Sequence, residues 1–260
     1  MSVAVSGDYA YIADGNNGLV RVDVSDPTYL TYAGSYNTSG YAQGVAVSGD
    51  YAYIASGDKG LVVVNISNPA NPAYSGDYNT DDYAYDVAVS GDYAYIADGF
   101  TGLVVVRVDD TANPTYVGGF DTANTARAVV VSDEYAYVAW GGTGLVVMDV
   151  SDPANPEYVG TYDTNNDAID VVVSDGYAYI ADGNEGLVVV DVSDPTNLTI
   201  VGTYDTSDTA VGVALWLSGY VYIASGYDGL VVVNVSDPTN PTYAGSYHTG
   251  GYARNVAVSG

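Results

Sequence analysis

The sequence predicts an all-β protein built from six copies of one four-stranded unit, and three observations carry that expectation. The stretch Gly144-Leu-Val-Val-Met-Asp-Val-Ser-Asp-Pro153 recurs with copies starting at Gly18, Gly60, Gly102, Gly144, Gly186 and Gly229, spaced 42 residues four times and then 43. A period in that range marks an array of one supersecondary unit. Each unit holds four short apolar or alternating runs separated by Gly, Asn, Asp and Pro clusters, which is the pattern of four strands. No three-and-four apolar period is present, and Val, Tyr, Ile and Thr dominate the runs, so helices are not expected.

The second copy shows each element in turn. Val45–Val47 is the first strand, and Ser48-Gly49-Asp50 is a tight hairpin whose glycine supplies a positive backbone angle. Tyr51–Ala55 follows, with two tyrosines on one face and Ala with Ile on the other, so that one copy can lay its rings over the alanines of the next. Leu61–Ile66 is nearly continuous apolar sequence, as in a strand buried on both faces. The turn after it, Ser-Asp-Pro-x-Asn-Pro or a close variant, has a local explanation: Asp caps its own backbone and Pro fixes the bend. Ala73–Tyr78 is the fourth strand.

Six such sheets packed face to face around an axis form a six-bladed β-propeller, which leaves only short, protected edges. A linear solenoid is the competing architecture, but it needs distinct polar caps, and none is visible. The expected blades are 3–44, 45–86, 87–128, 129–170, 171–212 and 213–255 of one domain spanning 1–260, with 256–260 repeating the first strand. Val3-Ala-Val-Ser6 and Val256-Ala-Val-Ser259 are both copies of strand one, giving seven first strands for six sheets. In one reading the C-terminal copy completes the first sheet beside Tyr9–Ala13 and the N-terminal copy is surplus; the sequence leaves open which terminal copy closes the ring. The alternative is that the extra strand frays or pairs with a second molecule in a strand-exchanged oligomer.

The Leu-Val-Val-Val-Asp/Asn motif followed by Val-Ser-Asp-Pro-x-Asn, as in Leu187–Asn197, resembles the LVIVD repeat family, and the resemblance covers essentially all 260 residues. It implies a bacterial or archaeal surface or secreted propeller and no catalytic residues. Arg21 and Arg107 depart from the motif and are expected where the strand meets solvent.

Composition limits the partners. Five Lys plus Arg stand against 32 Asp plus Glu, a formal charge of −27, which excludes phosphate binding and hence nucleic acid. Glu occurs only at 134, 157 and 185, so the acidic shell is carried by Asp in turns, as on proteins of saline or calcium-bathed surroundings. There is no cysteine and no apolar run of membrane-spanning length, and no basic-then-apolar leader precedes Val3, so a soluble domain, which a longer precursor could supply, is expected. The extracellular or cell-surface location is what the LVIVD resemblance implies, and a monomer is expected.

Function has to come from positions that the repeat leaves free. In a propeller the loop before strand one and the loop between strands two and three share a face, and there the copies differ. Lys59, Tyr85, Phe100, Arg127, Trp140, Tyr227 and Arg254 break the pattern, and exposed rings with guanidinium groups suit a protein or carbohydrate partner. Drift of unconstrained loop positions is the competing account. No cofactor is expected, although the oxygen-rich loops at Asp14/Asn16 and Asp182/Asn184 are candidates for calcium. The single His248 and the adjacent pairs Asp81-Asp82 and Asp109-Asp110 give no asymmetric catalytic arrangement. The expectation is a non-enzymatic adhesion or binding propeller. The alternatives are a ligand-free structural module, natural or engineered, and a carbohydrate-active enzyme.

Overall fold

A computed structural model describes residues 1–68, 70–121, 124–216 and 219–258. The protein is a six-bladed β-propeller of six four-stranded antiparallel sheets, each with its strands in sequence order. In the first sheet these are β1 (Val3–Ser6), β2 (Tyr9–Ala13), β3 (Leu19–Asp23) and β4 (Thr31–Tyr36). The other five lie over 44–78, 86–120, 128–162, 170–204 and 210–247. One turn of 3-10 helix, Gly226–Asp228, is the only helical element among the described residues. No described helix is long and apolar enough to cross a membrane.

The chain divides into two compact units. One is Met1–Ala126 with Asp152–Pro156; the other is Arg127–Ser151 with Glu157–Gly260. Within each, apolar residues of consecutive blades interlock as the alternation requires. Tyr11, Ala13 and Leu19 of blade one pack on Ala52, Ile54 and Val62 of blade two, and Tyr53, Leu61 and Val63 of blade two pack on Ala94, Ile96 and Val104 of blade three. The same grouping joins Tyr137, Leu145 and Val147 to Ala178, Ile180 and Val188 in the second unit. The third strand therefore serves two interfaces at once, which explains its lack of polar residues.

The hairpins between first and second strands turn on Gly7, Gly49 and Gly91 at φ 55°, 55° and 57°. Blades four and five place Asp133 and Asp175 there at φ 53°, a conformation that Asp tolerates better than most side chains. A bulge separates strands three and four in all six sheets, at the same repeat position (for example between Val63 and Val64). Beside it lies the outer-strand glycine. A Cβ on Gly76, Gly160 or Gly202 would sit 2.5, 2.4 or 2.3 Å from a carbonyl oxygen of the next blade's turn between strands three and four, at Thr111, Pro195 and Pro238. The glycine is there because another backbone needs its space. The turn itself is capped as expected: Asp26 Oδ1 accepts from Thr28 N at 2.9 Å, and Asp152 Oδ1 accepts from Ala154 N at 3.0 Å.

One open choice is decided and one expectation is corrected. The first sheet is completed by the N-terminal strand copy: Val3 pairs with Ile12 and Ser6 with Tyr9, while residues 251–258 form no strand. A hairpin two residues long closes at little entropic cost, so the adjacent copy takes that place. Asn255 instead lies against Gly212 of blade six, and Ala253 N donates to Gly226 O at 2.8 Å. Arg21 does not reach solvent; it is 3% exposed. Its guanidinium lies 3.6 Å from the Tyr9 ring centroid and 5.1 Å from that of Tyr11, and Nη1 donates to the Ile66 carbonyl at 3.1 Å. Two aromatic faces and a carbonyl replace part of the water that a buried cation loses, while Nε has no hydrogen-bond partner among the described residues. Arg107, by contrast, is exposed and pairs with Asp109 at 2.5 Å.

Candidate functional site

The loop between strands two and three is a tight turn closed on itself in each copy, with Asp14 N, Ser56 N, Trp140 N and Asp182 N each donating at 2.8 Å to the carbonyl of the glycine four residues on. Its rigidity determines what its tip can present. In blades three and six the tip residue is aromatic, and both rings are largely bare: Phe100 is 64% exposed and Tyr227 68%. Each backbone N–H is held from the preceding blade's loop. Phe100 N donates to Asp82 Oδ2 at 2.7 Å, and Tyr227 N donates to Asp208 Oδ2 at 2.7 Å. Asp208 also accepts from Thr209 N at 2.7 Å, and these backbone donors, Thr209 first, hold its carboxyl below the usual range.

The second unit extends this arrangement. Tyr252 meets Tyr227 edge to face with centroids 5.0 Å apart, and the Arg254 guanidinium lies 5.3 Å from the Tyr252 ring. Tyr227 and Arg254, singled out in the sequence, thus come together through Tyr252, which was not. In the first unit Tyr85 is half-buried and packs on Tyr83 at 5.0 Å, whose hydroxyl accepts from Gln43 Nε2 at 3.4 Å. Lys59 is exposed, with its stem over Gly40. Arg127 is half-buried and reaches Asp167 at 3.8 Å.

Trp140 is a correction. It is 0% exposed and offers no ring to a partner. It occupies the end of strand two, where Ser56, Asp98, Asp182 and Ser225 are equally buried and Asp14 is half-buried, so five of the six copies place this side chain inward. At the polar copies it meets the threonine of the preceding loop. Thr80 Oγ1 donates to Asp98 Oδ1 and Thr164 Oγ1 to Asp182 Oδ1, both at 2.6 Å, and Ser56 Oγ donates to Thr38 Oγ1 at 2.8 Å. Burial raises the Asp98 carboxyl and pushes that of Asp182 up to about 6, with Glu185, Asp167 and Asp163 adding repulsion.

Asp14 Oδ2 accepts from Asn17 Nδ2 at 2.8 Å within its own loop, Asn16 and Asn184 are exposed, and Asp182 faces Thr164. Among the described residues no three carboxylate, imidazole or thiol groups converge. His248 is exposed in the loop after the last strand, and Asp81 and Asp82 part as adjacent residues do, Asp82 clamping Phe100 N while Asp81 faces a cleft.

The family model of the LVIVD repeat matches residues 1–38, 39–80, 81–122, 123–164, 166–206 and 213–249. The chain belongs to the LVIVD repeat family. The fold of this LVIVD-repeat chain is similar to that of a functionally unknown protein from Desulfotomaculum acetoxidans DSM 771, at TM-score 0.80 and 16% identity over 97% of this chain and 86% of that one. A protein from Lactobacillus plantarum superimposes at TM-score 0.79 with 16% identity, covering 90% and 79%. The β-propeller domain of Cps50 (Swd1) from Myceliophteria thermophila does so at 0.75 with 10% identity, covering 98% and 89%. At these identities the likeness is one of fold. No curated protein matches the LVIVD-repeat chain in sequence.

Proposed function

We propose that the protein is a non-enzymatic, surface-located or secreted binding propeller that recognises a protein or carbohydrate partner through the aromatic tips of its inter-strand loops. The observation that supports this reading is the clamping of Phe100 and Tyr227: each large ring stands in solvent on a loop whose backbone is fixed by a carboxylate of the neighbouring blade. An exposed ring on a fixed backbone loses little further entropy on binding, and burying it is worth about 1.5–3 kcal/mol. Arg254 and Tyr252 add a forked donor and a second stacking face beside Tyr227.

The test is binding of the full chain to a glycan array and to intact cells, with calcium or with chelator. Tyr227→Ala and Phe100→Ala run alongside, with Tyr29→Ala, an equally exposed turn residue, as control. Loss of binding in the loop variants alone supports the reading. Equal binding by all three variants, or none by the parent protein, removes it in favour of a structural module.

A further inference from the structure

A second site is opened by a single departure from the repeat. The next-to-last position of the fourth strand reads Ser35, Asp77, Gly119, Thr161, Thr203 and Ser246, so only blade three lacks a side chain there. Beside Gly119 is a cleft of about 320 Å³, in the size range of small-ligand sites. Its walls include Tyr78, Tyr116 and Phe120, and its charged residues are Asp81 and Asp121. The Tyr78 and Tyr116 rings stack with centroids 6.4 Å apart and planes 24° apart, forming one aromatic wall. Among the described residues no lysine, arginine or histidine lines the space, so the two carboxylates have no counter-charge from them within it.

We propose that this cleft binds an organic ammonium group, a quaternary or methylated amine, with the cation against the tyrosine wall and its charge balanced by Asp81 and Asp121. Ring faces attract a weakly hydrated cation, and the exposed carboxylates of Asp81 and Asp121 add Coulombic attraction at the rim of the cleft. Anionic ligands are repelled by the same pair, and by the −27 formal charge of the whole chain. A neutral sugar would use the aromatic wall but not the uncompensated charge. This site is separate from the Tyr227 cluster, and the assignment does not depend on the loop reading.

The probe is choline, titrated calorimetrically against the full chain at fixed low salt, beside its uncharged isostere 3,3-dimethylbutan-1-ol and methyl glucoside. Choline is expected to bind at least tenfold more tightly than either neutral compound. Asp81→Asn with Asp121→Asn, and separately Tyr116→Ala, should weaken it at least tenfold. Gly119→Thr introduces the residue of blade four; its Cβ would lie 2.7 Å from Leu103 O, so the strand must shift to admit it, and in variant protein whose unfolding transition shows it folded the cleft should be filled and binding abolished. Tyr116 is 56% exposed, so its truncation tests the site without endangering the fold. Tyr227→Ala should leave choline binding unchanged. Absence of choline binding by the parent protein overturns the proposal, as does equal binding of the isostere or the glucoside. Unchanged affinity in the Asp81/Asp121 and Tyr116 variants overturns it equally.

Discussion

Replacing Asp182 with serine should change the sign of its effect on stability within the acid range. The Asp182 side chain is fully buried, one oxygen accepts from Thr164 Oγ1 at 2.6 Å, and Oδ2 has no hydrogen-bond partner among the described residues. Its carboxyl is raised to about 6, chiefly by desolvation. The folded state thus holds a proton that the unfolded state has released between about pH 4 and 6, and this group's contribution makes stability fall as pH rises through that window. The full penalty, present above pH 6, is about two pKa units, or ~3 kcal/mol. Serine removes the charge and can keep a hydroxyl contact of the kind that Ser56 makes with Thr38 at 2.8 Å. The smaller side chain costs about 1 kcal/mol in lost packing. Asp182→Ser should therefore be about 1–2 kcal/mol more stable than the parent protein at pH 8 and about 1 kcal/mol less stable at pH 4. The assay is urea unfolding of both proteins at constant ionic strength from pH 4 to 8. Asp98 and Asp170 are also raised, the latter to about 6, but they titrate in both proteins and cancel from the difference. A difference that stays constant with pH, or a parent protein that is the more stable at pH 8, would refute the reasoning.

Three further outcomes can be checked by the same unfolding measurement. Gly160→Ala should cost about 1–3 kcal/mol, because its Cβ would sit 2.4 Å from Pro195 O, whereas Gly245→Ala, with nothing within 4 Å, should stay within about 0.5 kcal/mol. Arg21→Ala should cost about 2–4 kcal/mol through the void left between Tyr9 and Ile66, with Arg21→Val, the residue of the other copies, costing less. Trp140→Ala should lower stability by about 3–5 kcal/mol. Partner binding per folded molecule should not change in that variant, since the ring is buried.

Strand number, strand order and the doubly buried third strand were legible because each follows from side-chain period alone, repeated six times. The candidate site was less so. Trp140 was read as a loop residue since it adjoins the variable positions, yet strand two runs one residue further in its hydrogen bonding than its Tyr-Ala-Tyr-Val-Ala pattern suggests. Arg21 was misplaced because a cation in an apolar strand points to solvent unless aromatic faces flank it, and Tyr9 and Tyr11 meet it only through the pairing of β2 with β3. Asp82 and Asp208 gave no signal among so many turn aspartates; their role appears only where each reaches the next blade. Gly119 departs from the repeat at a position not singled out in the sequence, because a missing side chain announces a cleft only once its neighbours are in place.

The contact between an outer-strand glycine and the following blade's turn bears on how such a gene grows. Duplicating one repeat copies the glycine and the turn together, in step, so a newly inserted blade arrives with both halves of its joint already matched to its neighbours. Unequal recombination between near-identical copies then requires no compensating change. Divergence at solvent-facing positions which that joint does not touch leaves it intact, and Tyr227 lies at such a position. A chain of this kind can alter what its blades present while the rule for joining them stays the same.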